Sequence, residues 1–275
     1  MKLKSKILLS ILATSSAAFA QTAPAPAAAP AAPETTVAYN VGVVSQYRYR
    51  GLAQTKGSPA LQGGLDYTNT NGFYLGAWGS TISWIADASA ANKSTTYSGN
   101  TELDLYGGYK FEKLGIAYDV GYLRYQYTGN DYDKTAASTT QYANANTDEV
   151  YAAATSGVYT FKYSYATSTL FGYLNSKGSN YMDLSANYDL GNGITFTPHI
   201  GRQKVRGTSS SYYSGGLSYT DYSATVAKDL GDGLSVSFAY VTTNAKSAPS
   251  GNFLSNSSSY NTAKAAVVAG VKYAF

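Results

Sequence analysis

The chain has no cysteine and a single histidine among 275 residues. Disulfides and thiolate metal sites are excluded, so an exported form would carry no covalent staple. Charge is sparse, with Asp, Glu, Lys and Arg making up 13% of the chain. No EF-hand or HExxH spacing occurs, the carboxylates are scattered, and no glycine loop precedes a helix to hold a nucleotide. These absences leave no metal and no cofactor to expect. A long apolar helix pattern is missing as well.

What is present begins with MKLKSKILLSILATSSAAFA. Three lysines, a short apolar stretch and an Ala18-Phe19-Ala20 end make a cleaved signal peptide over residues 1–20. The stretch is too short for a membrane-crossing helix, which needs about 20 residues. Loss of Lys2, Lys4 and Lys6 leaves 17 basic against 16 acidic residues. The apparent basicity belongs to the export signal, and no nucleic-acid partner follows from it. Residues 21–34, QTAPAPAAAPAAPE, favour extended polyproline-like chain and form a periplasmic linker; a tail entering a pore is the alternative.

Residues 35–275 hold all 28 tyrosines, against nine phenylalanines in the chain. Period-two alternation recurs between turn residues and predicts twelve strands, at 36–50, 58–69, 72–85, 101–111, 114–128, 147–155, 157–169, 179–190, 193–205, 217–230, 233–244 and 262–275. Five connections are tight, at Thr70-Asn71, Glu112-Lys113, Ser156, Gly191-Asn192 and Gly231-Asp232. Two of them lie in near-copies, DLGNGITF and DLGDGLSV, where Asn or Asp beside Gly supplies a hairpin turn. The other six are longer and polar. Short and long alternate along the chain, which a sandwich has no reason to do. An outer-membrane barrel does, with turns in the periplasm and loops outside. The predicted fold is therefore all-β, a transmembrane antiparallel up-and-down barrel of about twelve strands.

The strand faces agree. Leu234, Val236, Phe238 and Tyr240 alternate with Ser235, Ser237 and Ala239, and Met182 and Leu184 with Asp183 and Ser185. Such rows suit lipid and lumen, or a sandwich core and water; the export signal, the loop asymmetry and the chain end favour the barrel. Tyr273 and the terminal Phe275 resemble the signal that the barrel-assembly machinery recognises.

With odd strands running outward, Arg48 and Arg50 fall at the outer end of the first strand and turn toward the lumen mouth. Tyr47 and Tyr49 on the opposite face, with Trp84, would join an outer aromatic girdle. Rim arginines can attract anionic solutes, pair with lipopolysaccharide phosphates, or merely satisfy local acceptors. Arg124 and Arg202 fit the lumen face poorly and suit a bulge or a lipid-headgroup role equally. Asp66, Asp104, Asp119, Asp183, Asp221, Lys162 and Lys264 should face inward, to tune permeation or to pair across the bore. Small inward residues such as Gly42, Gly64, Gly108, Ser185, Ser235 and Ala266 favour an opening.

Residues 40–84 resemble the opening of the TorF family, porin candidates of proteobacteria. SQYRYRG at 45–51, PALQGGLDY at 59–67 and GFYLGAWGS at 72–80 carry the resemblance. It covers about three strands; beyond them the length, turn spacing and Phe275 agree, whereas the Ala/Pro tract departs from it. The resemblance implies an outer-membrane β-barrel without specifying a substrate. Passive diffusion of small hydrophilic solutes through a narrow lumen is the leading function, in contact with outer-membrane lipid and lipopolysaccharide. A structural or adhesive role through the loops is the alternative. A lipase would need a nucleophile beside a base on the lipid face. The lone His199 alternates with Ile200, points inward as a lumen hydrogen-bonder, and lacks a G-x-S-x-G or H-x-S neighbourhood, so the chain is not read as an enzyme.

Overall fold

The computed structural model describes residues 35–91, 99–130, 133, 143–207, 217–245 and 260–275. The expected signal peptide and linker lie outside them. The chain runs through β1 (Thr35–Val44), a small ribbon of β2 (Arg48–Tyr49) and β3 (Leu52–Ala53), then β4 (Ala60–Asn69) and β5 (Phe73–Thr81). A short helix α1 (Trp84–Ala91) precedes β6 (Thr101–Lys113), β7 (Ile116–Thr128), β8 (Thr147–Ser156) and β9 (Tyr159–Ala166). There follow β10 (Asn180–Ala186), β11 (Tyr188–Gly191), β12 (Ile194–Lys204), β13 (Tyr219–Gly231), β14 (Leu234–Thr243) and β15 (Ala266–Ala274).

Every wall strand pairs antiparallel with its chain neighbours. The ring closes where β1 meets β15, with Asn40 opposite Ala274 and Val44 opposite Gly270. Tyr39 and Phe275 exchange both backbone hydrogen bonds at 2.9 Å, so the last residue belongs to the seam. Strands β10 and β11 are one wall strand interrupted at Asn187, both pairing with β12. The result is a closed transmembrane barrel of twelve strands, as expected. Closure leaves no edge, which a hydrocarbon layer requires because it offers backbone groups no hydrogen-bond partner.

The tight turns lie at one end with Thr35 and Phe275; the long connections lie at the other. Both near-copy turns fold alike. Asn192-Gly193 and Asp232-Gly233 are two-residue turns with positive φ throughout. The Asp189 and Asp229 carboxylates each accept the backbone N–H two residues on, at 2.8 Å. These two turns sit one residue later than expected, and two others also sit slightly later, at Leu114-Gly115 and Gly157-Val158.

Outward residues form an apolar belt: Leu75, Phe238 and Val267 are 64%, 61% and 64% exposed. Water would not tolerate so continuous an apolar surface on a monomer. An aromatic girdle lies at the short-turn end. There Tyr39, Tyr273 and Phe275 stack at 5.6–5.8 Å, and Phe73, Tyr109, Phe111 and Tyr118 continue it at 4.8–5.9 Å.

Inside, tyrosines lie over glycines of neighbouring strands. Tyr74 covers Gly108, Tyr106 covers Gly76, Tyr151 covers Gly121 and Tyr181 covers Gly201. The expectation that small inward residues open the bore is corrected at Gly64 and Gly108, where Trp78 and Tyr74 occupy the space. A Cβ at Gly201 would overlap the Tyr181 ring. Gly201→Val is expected to unseat that ring and lower stability by about 1–3 kcal/mol, measured by denaturant unfolding of the refolded barrel in detergent. An unchanged midpoint would show that the ring is not seated there.

Candidate functional site

Strand β1 leaves the wall sooner than the alternation suggests. Its last ladder contact is the Ser45 N–H donating to Ala269 at 2.8 Å, after which residues 47–55 lie buried in the bore. Arg50 and Gly51, both at positive φ, form the two-residue turn between β2 and β3. Such a turn needs left-handed backbone at both central positions. Gly51 also has no room for a side chain: a Cβ would sit 2.6 Å from that of Asp221 on β13. The tip of the hairpin thus touches β13, three strands round the ring from β1.

This placement corrects the girdle expectation. Tyr47, Tyr49 and Trp84 are buried at 0%, 4% and 2% exposure. Tyr47 donates to Glu102 on β6 and packs its ring edge on Trp78. Tyr49 donates to Tyr125 on β7 at 2.8 Å. Trp84 begins α1, because β5 ends at Thr81, and it packs edge-on against Tyr127. The alternation Tyr-Arg-Tyr-Arg is common to a lipid-edge strand and a short inward ribbon, so period alone misplaces it.

Arg48 and Arg50 are likewise inside the bore and not free at its mouth. Arg50 forms two parallel hydrogen bonds to Glu149 on β8, at 3.0 and 2.7 Å, and donates to Gln203 on β12 at 2.7 Å. Its guanidinium lies 4.2 Å from the Tyr181 ring centre and 4.9 Å from that of Tyr49. Burial, the largest single influence, would lower its pKa, but Glu149 together with Tyr49 and Tyr125 more than offsets it and holds it well above the ordinary value. Arg48 donates to the carbonyls of Gly51, Thr262 and Lys264 at 2.8–3.3 Å. Its burial lowers its pKa, with Tyr260 acting in the opposite direction. Lys264 is a second correction: it is exposed in the turn before β15, and only its carbonyl serves the site.

The remaining residues expected in the lumen do face it. Asp66 accepts from Tyr106 at 2.6 Å and Asp119 from Tyr74 at 2.6 Å; Tyr74 also bonds Tyr151. Lys162 sits 3.6 Å from the Tyr151 ring centre, cross-strand from Asp183. His199 lies 2.7 Å from Asp183 and 3.2 Å from the Tyr181 hydroxyl, which in turn donates to Asp221 at 3.0 Å. Asp104 is buried in the same interior. Glu102, Lys110, Glu149, Gln203 and Lys272 share it but were missed. Simple alternation could have found them, since Lys110 lies between outward Tyr109 and Phe111, and Glu149 beside outward Val150.

The bore differs between its ends. At the long-loop end every wall strand contributes a buried inward side chain, from Val44 and Ala60 round to Val241 and Val268. The hairpin, Ile82, Ile85 and residues 170–173 fill the space between them. At the short-turn end inward residues such as Asn40, Thr68, Thr155 and Ser235 are partly exposed. Among the described residues no group of three or more His, Asp or Glu is placed to hold a metal ion.

A closed twelve-strand wall, apolar outside and ionised inside, defines a transmembrane β-barrel with its interior stoppered at one end. The chain belongs to the family described as bacterial protein of unknown function (Gcw_chp), whose model matches residues 27–275. No curated protein matches its sequence. Among solved structures it resembles a KdgM porin at 9% identity and TM-score 0.48, covering 88% of this chain and 99% of that one. A NanC porin matches at 10% and 0.48, covering 87% and 99%. Pseudomonas aeruginosa OccD3 matches at 11% and 0.40, covering 90% and 66%. These likenesses are too distant to carry an argument about function.

The Arg50–Glu149 pair is nearly dehydrated, with side chains 6% and 2% exposed. Removing one member of a buried pair strands the other. Arg50→Met is expected to cost about 3–5 kcal/mol of stability. Adding Glu149→Gln should recover much of that loss. Chemical unfolding of the four-member mutant cycle checks it, and strictly additive losses would rule out the coupling.

Proposed function

We propose that the chain is an outer-membrane porin, a passive channel for small hydrophilic solutes with the long loops outside and the short turns in the periplasm. The observation that carries this reading is the relation between width and filling. Eight strands enclose a bore that side chains fill, and sixteen or more leave an aqueous channel. Among the described residues this twelve-strand bore is filled at one end only, by chain inserted from the loops. The other end keeps polar, partly exposed inward residues. The resemblance of residues 40–84 to the TorF family points the same way, and its SQYRYRG segment is the inserted hairpin. In this reading the hairpin constricts the outer mouth and must shift for solutes to pass. Arg50, neutralised by Glu149, is not the selector of anions. Selectivity falls instead to the deeper groups, Asp66, Asp119, Lys110 and Lys162.

No catalytic role fits His199, which is held by Asp183 and faces away from lipid. In this reading Phe275, which lies in the seam and the aromatic girdle, also serves as the assembly signal. The filled outer mouth favours one rival, a structural or adhesive barrel acting through its loops.

Planar-bilayer recording separates the two. The refolded chain is expected to give small, discrete openings. Weakening the latch with Arg50→Ala and Glu149→Ala together should enlarge them or raise the open fraction severalfold. Silence from both proteins would overturn the channel and favour the adhesive reading.

A further inference from the structure

The arginines differ in how their charge is met. Arg50 has Glu149, Arg48 has three carbonyls, and outward-facing Arg124 has Asp148 at 3.0 Å. Arg202 and Arg206 have no carboxylate at ion-pairing distance among the described residues, and neither have Lys177 and Lys204. All four are exposed.

They gather at the long-loop end, on the outer surface above β10 and β12. Arg202 and Lys204 share an outward row with Ile200, which lies one step nearer the middle of the wall. Ile200 is flanked across the ladders by Leu184 and Tyr222, all three exposed and apolar. The surface thus turns from apolar to cationic over two residues, roughly 7 Å along a strand. Arg206 is drawn into the same patch. Its backbone N–H donates to Ser179 at 2.9 Å, and its side chain crosses Gly178, next to Lys177. Arg202 is steadied by Thr220, 3.1 Å from its guanidinium. The sequence has no Asp or Glu from 167 to 182 or from 202 to 220, so neither flanking connection carries an anion.

A cationic patch bordering an apolar belt fits a molecule with acyl chains below and anionic groups above. We propose that Lys177, Arg202, Lys204 and Arg206 form a binding site for the phosphate groups of an outer-leaflet glycolipid. Its acyl chains would lie along Leu184, Ile200 and Tyr222. Guanidinium groups suit phosphate because their forked donors meet two oxygens at once. The inference rests on the outer-membrane placement proposed above but does not depend on solute passage.

The test is native mass spectrometry of the refolded chain in zwitterionic detergent, titrated with diphosphorylated lipid A or its dephosphorylated form. Retention of the diphosphorylated lipid alone is expected. Arg202→Ser with Arg206→Ser should weaken it about tenfold, the scale of losing one or two charge-assisted contacts. Arg202→Lys with Arg206→Lys should retain most of it, and Arg124→Ser, whose charge Asp148 already meets, should change nothing. Heat-dependent gel mobility verifies that each variant is folded. Equal retention of both lipids, or unchanged binding by the double serine variant, would overturn the site. So would an adduct of inorganic phosphate alone as tight as that of the lipid. Bilayer conductance of the same variants is expected to match the parent, so failure of the channel reading and failure of this site register in different measurements.

Discussion

Backbone hydrogen bonding without water is the constraint from which the rest of this structure follows. A hydrocarbon layer leaves each unpaired N–H or C=O unmet, at a cost of several kcal/mol. A sheet can satisfy that condition only by closing. Closure here depends on the seam of β1 and β15, where Val41 faces Tyr273 and the terminal Phe275 exchanges bonds with Tyr39. Once the wall is closed, period two does the sorting: one row meets lipid and the next meets the bore.

The bore poses the opposite problem. Twelve strands enclose more space than ordinary side chains fill. The protein meets this in two ways. Tyrosine rings laid over Gly76, Gly108, Gly121 and Gly201 line the wall and bring their hydroxyls to Asp66, Asp119 and Asp221. At the long-loop end, backbone itself is inserted. The ribbon of β2 and β3 carries Tyr47, Tyr49 and Arg50 across to Glu102, Tyr125 and Glu149 on the far strands. A buried ion pair contributes little net stability against an apolar filling, but it specifies one arrangement because a displaced partner is left unpaired. That property holds the inserted ribbon in one place.

The wall was legible in the sequence because its signal is periodic and repeated. The strands at 101–111 and 217–230 need only small end corrections, and DLGNG and DLGDG mark their turns where the chain makes them. Asp66, Asp119, Asp183 and His199 followed from the same alternation. What was not legible was where the period stops meaning wall. Through Arg48 and Tyr49 the pattern continues while the backbone has already left the sheet. Only the tertiary setting separates the two cases: at its outer end β1 enters a bore wide enough to admit a ribbon. Gly51, which breaks the pattern, was the visible sign of the turn. Trp84 was misplaced for a related reason, since β5 stops at Thr81 and α1 begins within three residues. Lys264 was assigned to a strand that starts two residues later.

Hydrocarbon, and not protein or water, covers the outward row of each strand. The absence of cysteine makes it directly accessible, because single cysteines placed along 234–241 can carry spin labels without background. In lipid vesicles, collision with oxygen should peak at Leu234, Val236, Phe238 and Tyr240 and fall at the residues between, while a water-soluble nickel reagent is excluded from that row. Free access of the nickel reagent to Phe238 and Tyr240 would contradict a membrane-spanning barrel.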